Sequence, residues 1–318
     1  MRYREHLPQL DAGGVFLTDA GLETVLIFHE GLELPAFAAF DLLKDEAGTQ
    51  ALRRYYEPYA ALAREHGLGF VLESPTWRAS PRWAAQIGYG EPELDQVNRK
   101  AIALMEHLRT DYEAEGAPFV ISGCLGPHDD GYNPVTKLTA TAARDYHSSQ
   151  IATFADTAAD MVTALTITYA AEAVGVTQAA VEHQLPVVIS FTLETNGRLP
   201  SGQSLGEAIE QVEYETSAAP VYYMINCAHP THFEDTLAAD EPWRERIRGV
   251  RANASTRSHA ELDEATELDD GDPADLAARY VNLKAELPSL NVLGGCCGTD
   301  FRHVQAIREA WFADPMAF

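Results

Sequence analysis

Four cysteines, Cys124, Cys227, Cys296 and Cys297, are the residues of this chain best suited to chemistry. Two are adjacent, in the stretch Leu293-Gly294-Gly295-Cys296-Cys297-Gly298-Thr299, and Cys227 directly follows the apolar run Tyr222–Asn226. Thiolates are soft ligands suited to zinc. Gly294, Gly295 and Gly298 permit a tight backbone bend, which lets two neighbouring sulfurs face one ion. Three protein ligands leave a fourth tetrahedral position open, as in catalytic rather than structural zinc sites. The residues therefore point to a Zn²⁺ ion held by Cys227, Cys296 and Cys297. Two other readings stand beside it: a vicinal disulfide between Cys296 and Cys297, or burial of small thiols. Cys124 reads as a packed thiol.

Bringing three sulfurs together from distant parts of the chain requires a scaffold. Short apolar runs read as strands at Val15–Asp19, Phe70–Glu73, Phe119–Gly123, Met161–Thr166, Val187–Phe191, Tyr222–Asn226, Gly249–Ala252 and Asn291–Leu293. Runs such as Pro186–Phe191 are apolar on both faces, as parallel strands covered by helices should be. Helical periodicity is expected over Ala51–His66, Leu94–Tyr112, Ala140–Ala155, Ala170–His183, Leu205–Ser217, Pro273–Leu287 and Phe301–Phe312, with a shorter stretch over Thr231–Ala238. This alternation predicts a closed (β/α)₈ barrel forming one domain over residues 1–318. Cys227 then follows the sixth strand and Cys296-Cys297 the eighth, at the C-terminal mouth where such barrels keep their active sites. Asp19 ends the first strand and Asn253 follows the seventh. The stretches Gly126–Pro134 and Gly197–Gly202 read as loops after strands, and the acidic run Asp263–Asp272 as a solvated surface loop ended by Pro273. There is no GxGxxG or GxxxxGK[ST], so neither a Rossmann nor a P-loop site is supported.

Composition narrows the partners. Among 318 residues, 48 are acidic and 23 basic, a formal net charge of -25. Such a surface repels phosphate backbones and anionic lipid, which argues against nucleic acid and membrane partners. No apolar run approaches the ~20 residues a membrane helix needs, and the N-terminal residues lack the apolar core of a signal peptide. Few cysteines, used for chemistry, suit a reducing cytoplasm. A homo-oligomer is compatible with the sequence.

Several motifs resemble the homocysteine S-methyltransferase family. They are Thr18-Asp19-Ala20-Gly21-Leu22-Glu23-Thr24, Glu73-Ser74-Pro75-Thr76-Trp77, Gly123-Cys124-Leu125-Gly126-Pro127, Ser190-Phe191-Thr192, Asn226-Cys227 and Gly294-Gly295-Cys296-Cys297-Gly298. The last two are the most specific. The resemblance implies a zinc-bound three-cysteine barrel that moves a methyl group from a small sulfonium or ammonium donor to a thiol, homocysteine by default, giving methionine. It places Asp19 beside the acceptor's ammonium. Glu23, Thr166, Asn226, Asn253, Trp77 and Arg78 are the further candidates for the substrate pocket, with Asn226 orienting the Cys227 loop. Two positions depart from the family. The family's strand four commonly ends in Glu-Thr, the Glu binding the acceptor's ammonium, where this chain has Leu165-Thr166. Betaine-type members carry an aromatic residue where Arg78 stands. These departures open a second reading, the same zinc barrel acting on a different donor or acceptor. A non-catalytic zinc-binding protein or a thiol redox protein is the reading outside methyl transfer.

Overall fold

Eight parallel strands close into a barrel in strict sequence order in the computed structural model, which describes residues 2–237 and 241–313. They are β1 (Phe16–Leu17), β2 (Gly69–Glu73), β3 (Phe119–Leu125), β4 (Met161–Ile167), β5 (Val187–Phe191), β6 (Tyr222–Asn226), β7 (Ile247–Ala252) and β8 (Val292–Gly295). The closing pair is β1 with β8, Phe16 opposite Val292 and Leu17 opposite Leu293. β1 is shorter than its apolar run suggests, β3 extends to Leu125, and β7 starts at Ile247.

Long helices follow most strands: α1 (Glu46–Glu65), α2 (Glu91–Tyr112), α3 (Ala140–Ala155), α4 (Ala170–Glu182), α5 (Leu205–Thr216), α6 (Pro273–Glu286) and α7 (Phe301–Phe312). Their starts are set by side-chain caps. Asp45 accepts from the Gly48 amide, so α1 begins well before the first apolar residue of its stripe. Ser204 and Glu207 form a reciprocal capping box at α5. Between β6 and β7 the expected helix from Thr231 is replaced by 3₁₀ turns at Pro230–His232, Glu234–Leu237 and Pro242–Arg246; its last residue, Ala238, lies outside the described residues. Two of these turns start at a proline, and no sustained apolar stripe is present to extend them. Among the described residues no helix is long and apolar enough to cross a membrane.

The period-two alternation of the strands explains where chemistry is possible. Phe16, Val71, Val120, Met161, Val188, Tyr222, Met224 and Val292 form one buried cluster inside the barrel, joined by Leu7 from the N-terminal segment. Gln9 closes this end, its amide donating to the Tyr222 hydroxyl and its carbonyl accepting from Asn291. Two residues further along the strands, the same side presents Thr18, Glu73, Ser122, Thr163, Ser190, Asn226 and Arg251, all buried. The interior therefore turns from apolar to polar toward the C-terminal ends of the strands. These groups bond to one another: Ser122 to Thr163 at 2.8 Å and Ser190 to Asn226 Oδ1 at 2.6 Å. The other strand faces pack outward against the helices in the main hydrophobic cluster.

The acidic run is largely exposed, and the next helix starts at Pro273 as expected. Asp263 ends a short helix, His259–Asp263, and the following segment is not wholly solvated. Leu262, Leu268 and Asp269 help line a cavity at the barrel mouth, and Asp269 accepts from the Ser255 hydroxyl at 2.7 Å. Leu268 within the run and Leu262 just before it are partly buried there, while most of the run stays exposed.

Candidate metal centre and substrate cavity

Three sulfurs meet at the C-terminal mouth. The Sγ atoms of Cys227, Cys296 and Cys297 lie within 4.8 Å of one another. Cys227 and Cys297 are 3.9 Å apart, and Cys227 and Cys296 are in direct sulfur–sulfur contact. The contact joins the two strand ends, so the vicinal pairing of Cys296 with Cys297 does not occur. Cys124, at the end of β3, lies in the cavity wall as a free buried thiol outside this cluster.

Backbone bonds from β7 hold the cluster in place. The Cys227 amide donates to Arg251 O at 3.1 Å, the Cys296 amide to Ala252 O at 2.8 Å, and the Ala254 amide to Cys297 O at 3.1 Å. Cys227 itself has φ of 54°, a left-handed conformation that costs a non-glycine residue about 1–3 kcal/mol. Its carbonyl is fixed by three donors: Thr192 Oγ1 at 3.3 Å, Asn253 Nδ2 at 3.1 Å and His259 Nε2 at 2.7 Å. Thr166 has φ of 62°, next to a register shift at the end of β4. Gly298, at φ of 79°, completes the bend after the paired cysteines.

Asn226 links these strained positions. Its Oδ1 accepts from the Thr166 amide at 2.8 Å, and its Nδ2 donates to Thr166 Oγ1 at 2.8 Å and to Cys296 Sγ at 3.7 Å. Thr166 Oγ1 in turn donates to Cys227 Sγ at 3.7 Å. Two of the three sulfurs thus each receive a side-chain hydrogen bond from the strand-end network. Burial pushes the Cys297 thiol above its ordinary value, opposed by a hydrogen bond from Tyr132, and burial pushes Cys124 well above.

The cluster opens into a cavity of 500 Å³. Of the residues singled out from the sequence, Asp19, Glu23, Thr166, Asn226, Trp77 and Arg78 line it with the cysteines, and so does Leu165. Asn253 does not; it braces the Cys227 carbonyl from behind. Asp19 is already engaged. Tyr55 donates to its Oδ2 at 3.0 Å, and Arg251 Nη2 lies 2.9 Å from its Oδ1. Burial raises the Asp19 carboxyl, while Arg251 and Tyr55 pull it back. Trp77 donates through Nε1 to the Leu165 carbonyl at 3.3 Å, which fixes the indole against β4.

Arg251 and Glu73 were not singled out from the sequence. Burial works to lower the arginine, and the neighbouring carboxylates Asp19 and Glu73 outweigh it and raise its pKa. Burial lifts Glu73 to about 7, with Arg251 opposing, and its Oε2 has no hydrogen-bond partner. The signal was present in the strands: a charge at an inward position of an apolar run needs a partner across the barrel.

The homocysteine methyltransferase MmuM from Escherichia coli has the same fold. Its oxidized form matches with a TM-score of 0.74 at 19% identity, and its metallated form with 0.72 at 17%; each match covers 94% of this chain and 97% of that one. Membership rests on a separate finding, the family model described as homocysteine S-methyltransferase, which matches residues 16–311. By that match this chain is a methyltransferase of the homocysteine S-methyltransferase family.

Proposed function

We propose that the chain is a single-domain cytoplasmic enzyme that transfers a methyl group from a small sulfonium or ammonium donor to a thiol, using zinc held by Cys227, Cys296 and Cys297. The observation that carries this reading is the meeting of three sulfurs from two strand ends beside an open cavity. The donor set suits the ion. Bonds of ~2.3 Å to sulfur give a tetrahedral edge of ~3.8 Å, against 3.9 Å between Cys227 and Cys297. Both sulfurs of the Cys227–Cys296 contact must be reduced before they can act as ligands.

When bound, zinc converts a substrate thiol to its thiolate, which a free thiol with a pKa near ~8.5 is not at neutral pH. The chain supplies the rest. Thr166 and Asn226 hold two ligand sulfurs in orientation through their hydrogen bonds. Asn253, Thr192 and His259 keep the Cys227 loop from relaxing. Trp77 and Leu165 supply an apolar surface in the cavity beside the cluster, against which a sulfur and a methyl carbon can be held in line. With zinc bound, the lowered pKa of the acceptor thiol would let its proton pass to solvent.

Homocysteine is the first acceptor to test. A specific observation favours a different one: Leu165 offers no charge to an ammonium, and Asp19 is paired with Arg251. The experiment is a screen of thiols against labelled methyl donors on reduced, zinc-loaded protein, read by mass spectrometry. Zinc-dependent label on a thiol supports the reading; no transfer to any thiol from sulfonium or ammonium donors contradicts it.

A further inference from the structure

The same cavity wall holds an arginine that the transfer step does not use. Arg78 lies in the turn after β2, with its guanidinium carbon 4.1 Å from the ring centre of Trp77 and 3.5 Å from that of Trp83. Two indoles therefore pack against one planar cation, which restrains the fork through cation–π contacts. The residue is only 7% exposed, yet its Nε and Nη1 have no acceptor. A buried guanidinium with idle donors is costly unless a partner arrives. Its anionic neighbour, Asp130, sits 3.6 Å from Nη2, beyond good hydrogen-bonding distance, and Asp130 Oδ1 is committed to the amides of Tyr132 and Asn133. Burial lowers the arginine only to about 10, so it stays charged at neutral pH.

Glu23 lines the same cavity, from the turn after β1. Its carboxyl makes no ion pair among the described residues. Enclosure raises it to about 7, and Arg251 and Arg78 both act to lower it, which places it electrostatically between the two arginines. A single guanidinium fork among carboxylates suits one planar, singly charged carboxylate, whereas a phosphate would meet Glu23 and Asp130 with too little positive charge. The anion must also bring its own cation to satisfy Glu23.

We infer that Arg78, packed against Trp77 and Trp83, binds the carboxylate of a zwitterionic substrate whose cationic group is met by Glu23. This rests on the cavity being the substrate pocket of the methyl-transfer reading. The pair would select amino acids and carboxylate-bearing onium compounds over cations of the same shape.

The test is equilibrium binding by calorimetry to reduced, zinc-loaded protein, with two probe pairs that differ only in the carboxylate. The acceptor pair is homocysteine and 3-aminopropanethiol. The donor pair is S-methylmethionine and (3-aminopropyl)dimethylsulfonium. In at least one pair the carboxylate-bearing member should bind about 10- to 100-fold more tightly to the native protein, and that pair identifies the substrate that docks on Arg78. Arg78→Gln should abolish the advantage while leaving the decarboxylated member's affinity within about twofold, and Arg78→Lys should restore part of it. Glu23→Gln should weaken both members of that pair alike. Thermal unfolding of each variant establishes that it is folded. No advantage for either carboxylate in the native protein, or an advantage that survives Arg78→Gln, overturns the assignment. Because binding is read without turnover, the two claims fail separately. An Arg78-dependent preference without methyl transfer sinks the transferase reading alone, and transfer with an Arg78-independent preference sinks the Arg78 assignment alone.

Discussion

Replacing Arg251 by Met should destabilise the protein out of proportion to the side chain lost. The guanidinium is 2.9 Å from Asp19 Oδ1 and donates to the carbonyls of Gly295 and Ala20 at 3.0 Å each. Asp19 and Arg251 are 2% and 4% exposed, and Glu73 nearby is 3% exposed. Removing the cation strands two carboxyl groups in the barrel, and breaking a buried pair costs about 3–5 kcal/mol. Asp19→Asn alone should cost less, because Arg251 keeps Glu73 as a counter-charge. The double variant Asp19→Asn/Arg251→Met removes one stranded charge with its partner, so it should be more stable than Arg251→Met alone. The expected coupling is at least ~2 kcal/mol. Urea unfolding of the reduced, chelator-treated proteins at pH 7.5 gives all three values. The Arg251→Met deficit should shrink at pH 5, where the stranded carboxyls can take up protons. If the single costs add to the double within about 0.5 kcal/mol, the pair is not energetically joined. Asp19 would then be free for an acceptor's ammonium, as the family resemblance implies.

Three other outcomes follow from the same geometry. Leu165→Glu should lower the homocysteine KM about tenfold, the worth of one charge-assisted hydrogen bond; a native protein that already uses homocysteine efficiently and is impaired by Leu165→Glu would show that its ammonium is held elsewhere. Glu73, lifted to about 7 by burial, takes up a proton more readily folded than unfolded. Its contribution is therefore present at low pH and lost as pH rises from about 4.5 to about 7, by up to ~3 kcal/mol; Glu73→Gln should make that fall shallower in urea titrations at pH 5 and pH 8, and an unchanged slope would clear Glu73 of the effect. Asn226→Ala frees both Thr166 and the Cys296 sulfur, so zinc affinity measured by chelator competition should drop about 10- to 100-fold, and an unaltered affinity would make Asn226 a bystander.

The barrel was readable because its signals are local. Apolar runs such as Val187–Phe191 and the helix ranges 140–155 and 301–312 coincide with the observed elements. The cysteine cluster was readable because its glycines and strand-end positions restrict where Cys227, Cys296 and Cys297 can go. What sequence could not supply was pairing across the barrel. Arg251 and Asp19 are 2.9 Å apart but come from β7 and the segment just after β1, and no local pattern announces their meeting. The same holds for Trp83, whose contact with Arg78 depends on how the turn after β2 folds back. The acidic run is the largely exposed loop its charge suggests, ended by the helix that starts at Pro273, and what its charge did not reveal is that Leu268 and Asp269 also line the cavity.

Zinc-edge X-ray absorption on the reduced protein tests the central claim most directly. The account predicts three sulfur neighbours at ~2.3 Å with one lighter ligand, and a fourth sulfur replacing that ligand when the true acceptor thiol is added. Cys124→Ala should leave this spectrum unchanged, while Cys227→Ala should remove a sulfur or the metal itself. A first shell dominated by nitrogen, or a spectrum that loses sulfur with Cys124→Ala and keeps it with Cys227→Ala, would contradict the three-cysteine centre.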